Sequence, residues 1–323
     1  MLERSDFPPI SDAGDVSVQK FSDRNYLKAF FLATFTGTIW SFGALIVRYM
    51  EAAQSYQWQY LFFRGLTIAI VILAYLMTRD GLAFINRFKR IGISGLIGAA
   101  GLMTAMSGFI LSITLTTAAN TLFMLAAAPF IAAFLGIVLL KEKVRHSTWV
   151  AMVIALLGIL VMVLEGLEAG NFLGNLLALV AALGFAVFSV SLRWRQQTPQ
   201  FATVVLGGVL CVLLALLILF LRNETLTMPL RNVYLSMLHG FVVGSGLISY
   251  SISAKYLPAA ELILLSLVEI IGGVLWVYLP IFGIHEIPSL PTVAGGVIVL
   301  GAIVLDGVSL RRQSPISHGH ISS

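Results

Sequence analysis

Residues 116–143 read TTAANTLFMLAAAPFIAAFLGIVLLKEK, and residues 257–286 read LPAAELILLSLVEIIGGVLWVYLPIFGIHE. The two stretches share an order: small residues with one polar residue (Asn120, Glu261), a long apolar run, and an acidic residue at its end (Glu142, Glu286). A glycine-bearing apolar span follows each, ALLGILVMV at 155–163 and VIVLGAIVL at 297–305. A bilayer core needs about 20 apolar residues per helix. Stretches that meet this rule start near Tyr26, Tyr56, Gly92, Thr117 and Ser147, and again near Phe172, Phe201, Val233, Leu257 and Leu290. Five spans per copy is an odd number, so the second copy enters the membrane from the opposite side and the two copies are inverted. The expectation is an all-α integral membrane protein of ten transmembrane helices, arranged as two inverted five-helix repeats over 26–168 and 169–312.

Composition agrees. Of 323 residues 59% are hydrophobic and 11% charged, where soluble domains carry about a quarter charged. Residues 1–25 lack the apolar core of a signal peptide and read as a disordered cytoplasmic tail; residues 313–323 read as a second cytoplasmic tail. The single cysteine, Cys211, sits inside an apolar run and is expected to pack. The net charge of +5 does not indicate nucleic acid, because most Lys and Arg sort into alternate loops. Arg79, Arg87, Lys89, Arg90, Lys141, Lys143, Arg145, Arg193, Arg195, Lys255, Arg311 and Arg312 fall on one side together with the N-terminal cations. Arg48, Arg222 and Arg231 fall on the other. Positive loops are cytoplasmic, which places both termini inside, in a bacterial inner membrane.

At these residues the chain resembles the EamA branch of the drug/metabolite transporter superfamily. The resemblance rests on WSFG at 40–43, FFRG at 62–65, the stretch around Pro129, LPAAELILLSLVE at 257–269 and WVYLPIFGIHEIP at 276–288. It implies a metabolite carrier without naming the cargo. Members of that family often carry a proline just after the position of Glu269, matching Pro129; here Ile270 and Ile271 stand there. Gly272, Gly273 and Pro280 are then the expected flexible points of that helix.

Arg64 lies roughly 12 Å into its span at 1.5 Å per residue. A charge at that depth costs a few kcal/mol even on the lenient insertion scale, so it should face the bundle interior. Gln57, Tyr60, Arg64, Thr67 and Tyr75 share one helical face. Glu269, a dozen residues into the ninth span, shares a face with Glu261, Leu265, Gly272 and Trp276. Two readings stay open: Arg64 and Glu269 bind substrate or a coupling proton, or they pair with each other. Trp40 and Trp276 offer aromatic walls, since ligand sites are largely apolar with a few placed polar groups. Ser249 belongs to a polar face with Ser245, Ser253 and Tyr256. The expected substrate-binding set is therefore Arg64, Glu269, Trp40, Tyr60, Trp276, Glu261 and Ser249. Asn120 is expected to cap a helix start. Ala128, Ala132 and Gly136, and likewise Gly240 and Gly244, mark close helix contacts.

No GxxxxGK[ST] loop and no HExxH group occurs in the sequence. His318 and His320 are too terminal to argue for a metal, and no cofactor is expected. The reading is a secondary active transporter, an exporter of a small organic metabolite such as an amino acid or another zwitterionic or amphipathic solute. It would be proton-coupled or an exchanger, working as a monomer or homodimer in the lipid bilayer. An importer of a vitamin or nucleoside-like solute is the alternative, and a membrane-embedded enzyme a remote one.

Overall fold

The computed structural model describes residues 23–141, 146–168, 171–194, 200–257 and 259–312. Two short 3₁₀ turns aside, every regular element among them is an α-helix: α1 (Asp23–Trp40), α2 (Phe42–Arg48), α3 (Gln57–Asp80), α4 (Ile85–Phe88), α5 (Ile93–Leu115), α6 (Ala118–Leu125), α7 (Ala128–Leu140), α8 (His146–Glu168), α9 (Phe172–Trp194), α10 (Gln200–Leu221), α11 (Leu230–Ser253), α12 (Ala259–Ser266), α13 (Val268–Tyr278) and α14 (Leu290–Arg312). Helices are what a lipid-facing chain must form, because each backbone N–H and C=O then finds its partner within the segment.

Among the described residues, seven helical segments are long and apolar enough to cross a bilayer: Asn25–Arg48, Gln57–Phe88, Ile93–Leu115, Ala118–Leu140, Phe172–Trp194, Gln200–Leu221 and Leu230–Ser253. Shorter apolar segments occupy Trp149–Glu165, Val268–Tyr278 and Leu290–Ala302. Large apolar side chains such as Ile70, Met77, Leu213, Leu217 and Phe220 are exposed on the outside of the bundle, the arrangement expected where lipid replaces water. The main helix contacts join early and late parts of the chain: α5 with α9, α8 with α14, α3 with α10 and α11, and α1 with α11.

Close approach of backbones underlies these contacts. A Cβ on Gly240 of α11 would lie 2.7 Å from the Arg64 carbonyl oxygen of α3, so only glycine lets the two backbones meet there. Gly240 thereby brings its neighbour His239 to the level of Arg64.

Three of the membrane-depth helices are interrupted. The chain breaks at Ser41 between α1 and α2, at 126–127 between α6 and α7, and at Leu267 between α12 and α13. Pro129, second residue of α7, accounts for the middle break, since it has no N–H to give Leu125. The amides of Ala126 and Ala127 instead take tighter i→i−3 bonds, to Phe123 and Met124.

The break at Leu267 corrects the expectation that this helix would bend at Gly272, Gly273 or Pro280. Its cause is tertiary. A Cβ on Gly37 of α1 would lie only 2.5 Å from the Ser266 carbonyl oxygen, so α1 presses directly on the backbone at the interruption. The Ser266 hydroxyl donates to Ile263 O at 2.7 Å and the Ile270 amide to Leu267 O at 2.9 Å, which satisfies groups freed from the regular ladder.

The two breaks are in register. Pro129 is the second residue of α7 and Glu269 the second residue of α13. Both residue types suit a helix's first turn. Proline loses nothing there because the N–H has no intrahelical partner, and a carboxylate meets the positive end of the helix dipole.

Candidate functional site

The two breaks open onto one cavity. Leu125 and Ala128 line it from the first, and Ser266, Leu267, Glu269 and Ile270 from the second. Trp40, at the end of α1, also faces it, together with Arg64 of α3, Met106 and Phe109 of α5, Phe185 of α9, and His239 and Val243 of α11. The cavity volume is about 90 Å³. One water needs roughly 10–15 Å³ on that measure, so several waters or a small organic molecule can be accommodated.

Arg64 is 4% exposed. Its Nη1 donates to the Met106 carbonyl at 3.3 Å, and its Cζ lies 5.9 Å from the centroid of the Phe109 ring. Nε has no hydrogen-bond partner among the described residues. A buried donor left unmade costs about 1–3 kcal/mol, more when charged, so this guanidinium holds spare donor capacity for an acceptor. Glu269 is half-buried on the same cavity and makes no hydrogen bond or ion pair among the described residues. The open alternative of a direct Arg64–Glu269 salt bridge is therefore not what the structure holds. Both charges face the shared space.

The aromatic wall is anchored at Trp40. Its Nε1 donates to Val243 O at 3.3 Å, and its ring stacks on Tyr250 at 5.7 Å and meets Phe185 edge-on at 5.9 Å. Tyr250 is held in turn by a 2.6 Å hydrogen bond with Ser189. A tryptophan fixed at its N–H and against two rings that also pack on each other at 5.2 Å presents a rigid apolar surface at little entropic cost to binding.

Of the other expected residues, Tyr60 stands one layer behind the cavity. It is fully buried, and its hydroxyl is 3.1 Å from His239 Nδ1. Trp276 lies off the cavity lining: its Nε1 donates to Ser41 Oγ at 2.9 Å and its ring stacks on Phe42 at 5.3 Å. The reason is height, because α13 carries both residues on one face but Trp276 stands seven residues, about 10 Å, further along the axis than Glu269. Ser249 is buried but off the cavity lining. On the same helix, the Ser253 hydroxyl bonds the backbone carbonyls of Ala29 and Ser249, the packing role usual for membrane serines. The side chains of Glu261, Glu142 and Asp306, and His318 and His320, lie outside the described residues.

Two more differences stand out. Thr117, not Asn120, caps α6, its hydroxyl accepting from the Asn120 amide at 3.1 Å. Asn120 instead joins Thr116 and Thr292 through its side chain. His239 belongs to the cavity and was not singled out in the sequence. The signal was present, because a titratable side chain inside an apolar span is itself a functional pointer.

Comparison with known proteins fixes the class. Residues 27–164 match the EamA-like transporter family. A Bacillus subtilis (strain 168) protein named as the uncharacterized transporter YwfM is 26% identical over 211 residues, covering 64% of this chain and 69% of its own length. A solved structure titled only "Crystal structure of protein" superposes with a TM-score of 0.62 at 19% identity, covering 89% of this chain and 99% of its own; it shares the fold. The EamA-like segment contributes Trp40, Arg64, Met106, Phe109 and Ala128 to the cavity, and the later half contributes Phe185, His239 and Glu269. The chain is a membrane transporter.

Proposed function

We propose that the protein is a secondary active transporter that exports a small zwitterionic or amphipathic metabolite, an amino acid or a relative of one, by alternating access around the cavity at the two helix breaks. The observation that carries this reading is the cavity's division into two chemistries. Arg64, with a donor to spare, and the unpaired Glu269 stand in the same space as Trp40 and Phe185. Arg64 takes the carboxylate of the solute, Glu269 takes its amino group or a coupling proton, and the aromatic wall takes its apolar body.

The cycle operates between two inverted five-helix repeats, the second half of the chain repeating the first. Support comes from the paired breaks and from matched contacts. Exchanging each helix for its counterpart in the other half turns the α5–α9 contact into α1–α11, α3–α11 into α5–α10, and α6–α9 into α1–α12. Each of these pairs packs together in the structure.

The test is a thermal-shift screen of purified protein against a metabolite library, followed by proteoliposome transport of the best hit with and without a pH gradient. Saturable counterflow is expected. Glu269→Gln with transport intact at every pH and binding unchanged would sink the assignment of Glu269. Chemical conversion of the hit in detergent, without vesicles, would replace transport by catalysis.

A further inference from the structure

One end of the molecule is tied shut by charge. Arg48, the last residue of α2, places Nε 2.8 Å from Glu286 Oε2 and donates through Nη2 to Glu286 Oε1 at 3.3 Å. The same Nη2 donates to the Thr116 carbonyl, at the end of α5, at 2.8 Å. Glu286 Oε1 also accepts from the Ala118 amide, the first of α6, at 2.7 Å. Two residues at this end thus join four segments. The anion sits where α6 offers a free N–H and positive dipole, and the cation where α5 offers a free carbonyl.

The neighbouring backbone strengthens the tie. Tyr49 donates its hydroxyl to Phe282 O. Glu51 is joined to Asn232, its amide donating to Asn232 Oδ1 at 3.0 Å and its carbonyl accepting from Nδ2 at 2.9 Å. Residues 48–51, early in the chain, are therefore bonded to residues 232, 282 and 286, late in the chain. The opposite end carries a different balance. There the Ser253 hydroxyl bonds Ala29 O, but Lys255 of the late half faces Arg79 and Arg87 of the early half; burial and then those two charges lower its pKa from the ordinary lysine range. At that end the ion pairs, Asp80 with Arg87 at 2.6 Å and with Arg79 at 3.7 Å, stay within the early half, while at the Arg48 end the ion pair joins the early half to the late one.

We propose that Arg48 and Glu286, with Thr116 O and the Ala118 amide, form the gate that closes the cavity at this end, and that it must part once in every transport cycle. The proposal rests on the alternating-access reading and adds the residues that do the closing. The Arg48 and Glu286 side chains are each 21% exposed. An ion pair so placed is partly shielded from water yet can be separated and rehydrated, as a reversible gate requires.

The gate is tested without knowing the cargo. Val243→Cys, on the cavity wall, is placed in a Cys211→Ala background and treated with a membrane-impermeant cationic thiosulfonate in right-side-out and inverted vesicles. Thr227→Cys, exposed in the loop before α11 at the Arg48 end, reports in parallel which membrane face that end occupies. In the otherwise unaltered protein, Val243→Cys is expected to react slowly from the Thr227 face and at least tenfold faster from the other. Glu286→Gln and Arg48→Gln are each expected to raise the rate from the Thr227 face about tenfold or more. The charge-swapped pair Arg48→Glu with Glu286→Arg should fail to restore closure, because it puts a cation against the Ala118 N–H and an anion against Thr116 O. Equal rates from both faces, or rates unmoved by Glu286→Gln in protein that still elutes as a single species, would overturn the gate. Labelling of Thr227→Cys from the cytoplasmic face would overturn the membrane orientation and leave the gate standing. Closure as specified but no counterflow of any solute would count against the transport reading alone.

Discussion

The two broken helices at the cavity make the same shape by different means. Between α6 and α7 the break is written into the covalent chemistry of Pro129, which removes a hydrogen bond wherever the chain goes. Between α12 and α13 there is no proline, and the break is held by Gly37 of a distant helix pressing on the Ser266 carbonyl. The register position that proline occupies in the first helix is thereby free in the second, and Glu269 stands there. A half-helix start can carry either a residue that enforces the break or one that uses it. Of these two helices, one supplies the scaffold and the other a charge.

Transport separates the two positions most sharply. Glu269→Gln should lower the initial rate about 10- to 100-fold, the 1.5–3 kcal/mol of a charged hydrogen bond, whereas Pro129→Ala should leave it within about twofold; proteoliposome flux of the screened hit decides. Equal losses would mean that shape, not charge, is what both sites provide. Stability should rank differently. Gly37→Val places atoms within the space of the Ser266 carbonyl and should cost about 2–3 kcal/mol or more, read as a lower melting temperature and a loss of monodisperse protein. A Gly37→Val protein that melts like its parent would remove the tertiary cause assigned to the second break. Pro129→Ala should cost only about 0.4–1 kcal/mol, largely through the greater freedom of the unfolded chain. Smallest of all, Trp276→Phe should keep the stack on Phe42, lose the bond to Ser41 worth about 1 kcal/mol, and leave affinity for the hit unchanged. A clear loss of affinity there would return Trp276 to the binding surface.

Arg64 and Glu269 were legible as cavity residues for one physical reason. A charge at membrane depth has few tolerable places, so its sequence position nearly fixes its surroundings. Trp276 shares the face of Glu269 but not its level, because face arithmetic ignores the rise of about 10 Å over seven residues. His239 carries the same depth signal as Arg64, but a neutral imidazole is tolerated more easily than a guanidinium and drew less notice. The partner of Glu286 could not be read at all. Its own loop contains no cation, and Arg48, which pairs with it, lies 238 residues earlier in the chain.

The sequence by itself determined that this chain is helical, lives in a membrane and places charge at mid-depth, because hydropathy, helix period and the cost of a buried charge act locally along the chain. Only the tertiary structure decided which charges share a space without pairing, where the second helix breaks, and which distant residues close one end. Those outcomes depend on backbone contacts between helices far apart in sequence, where a single absent Cβ at Gly37 or Gly240 sets the geometry.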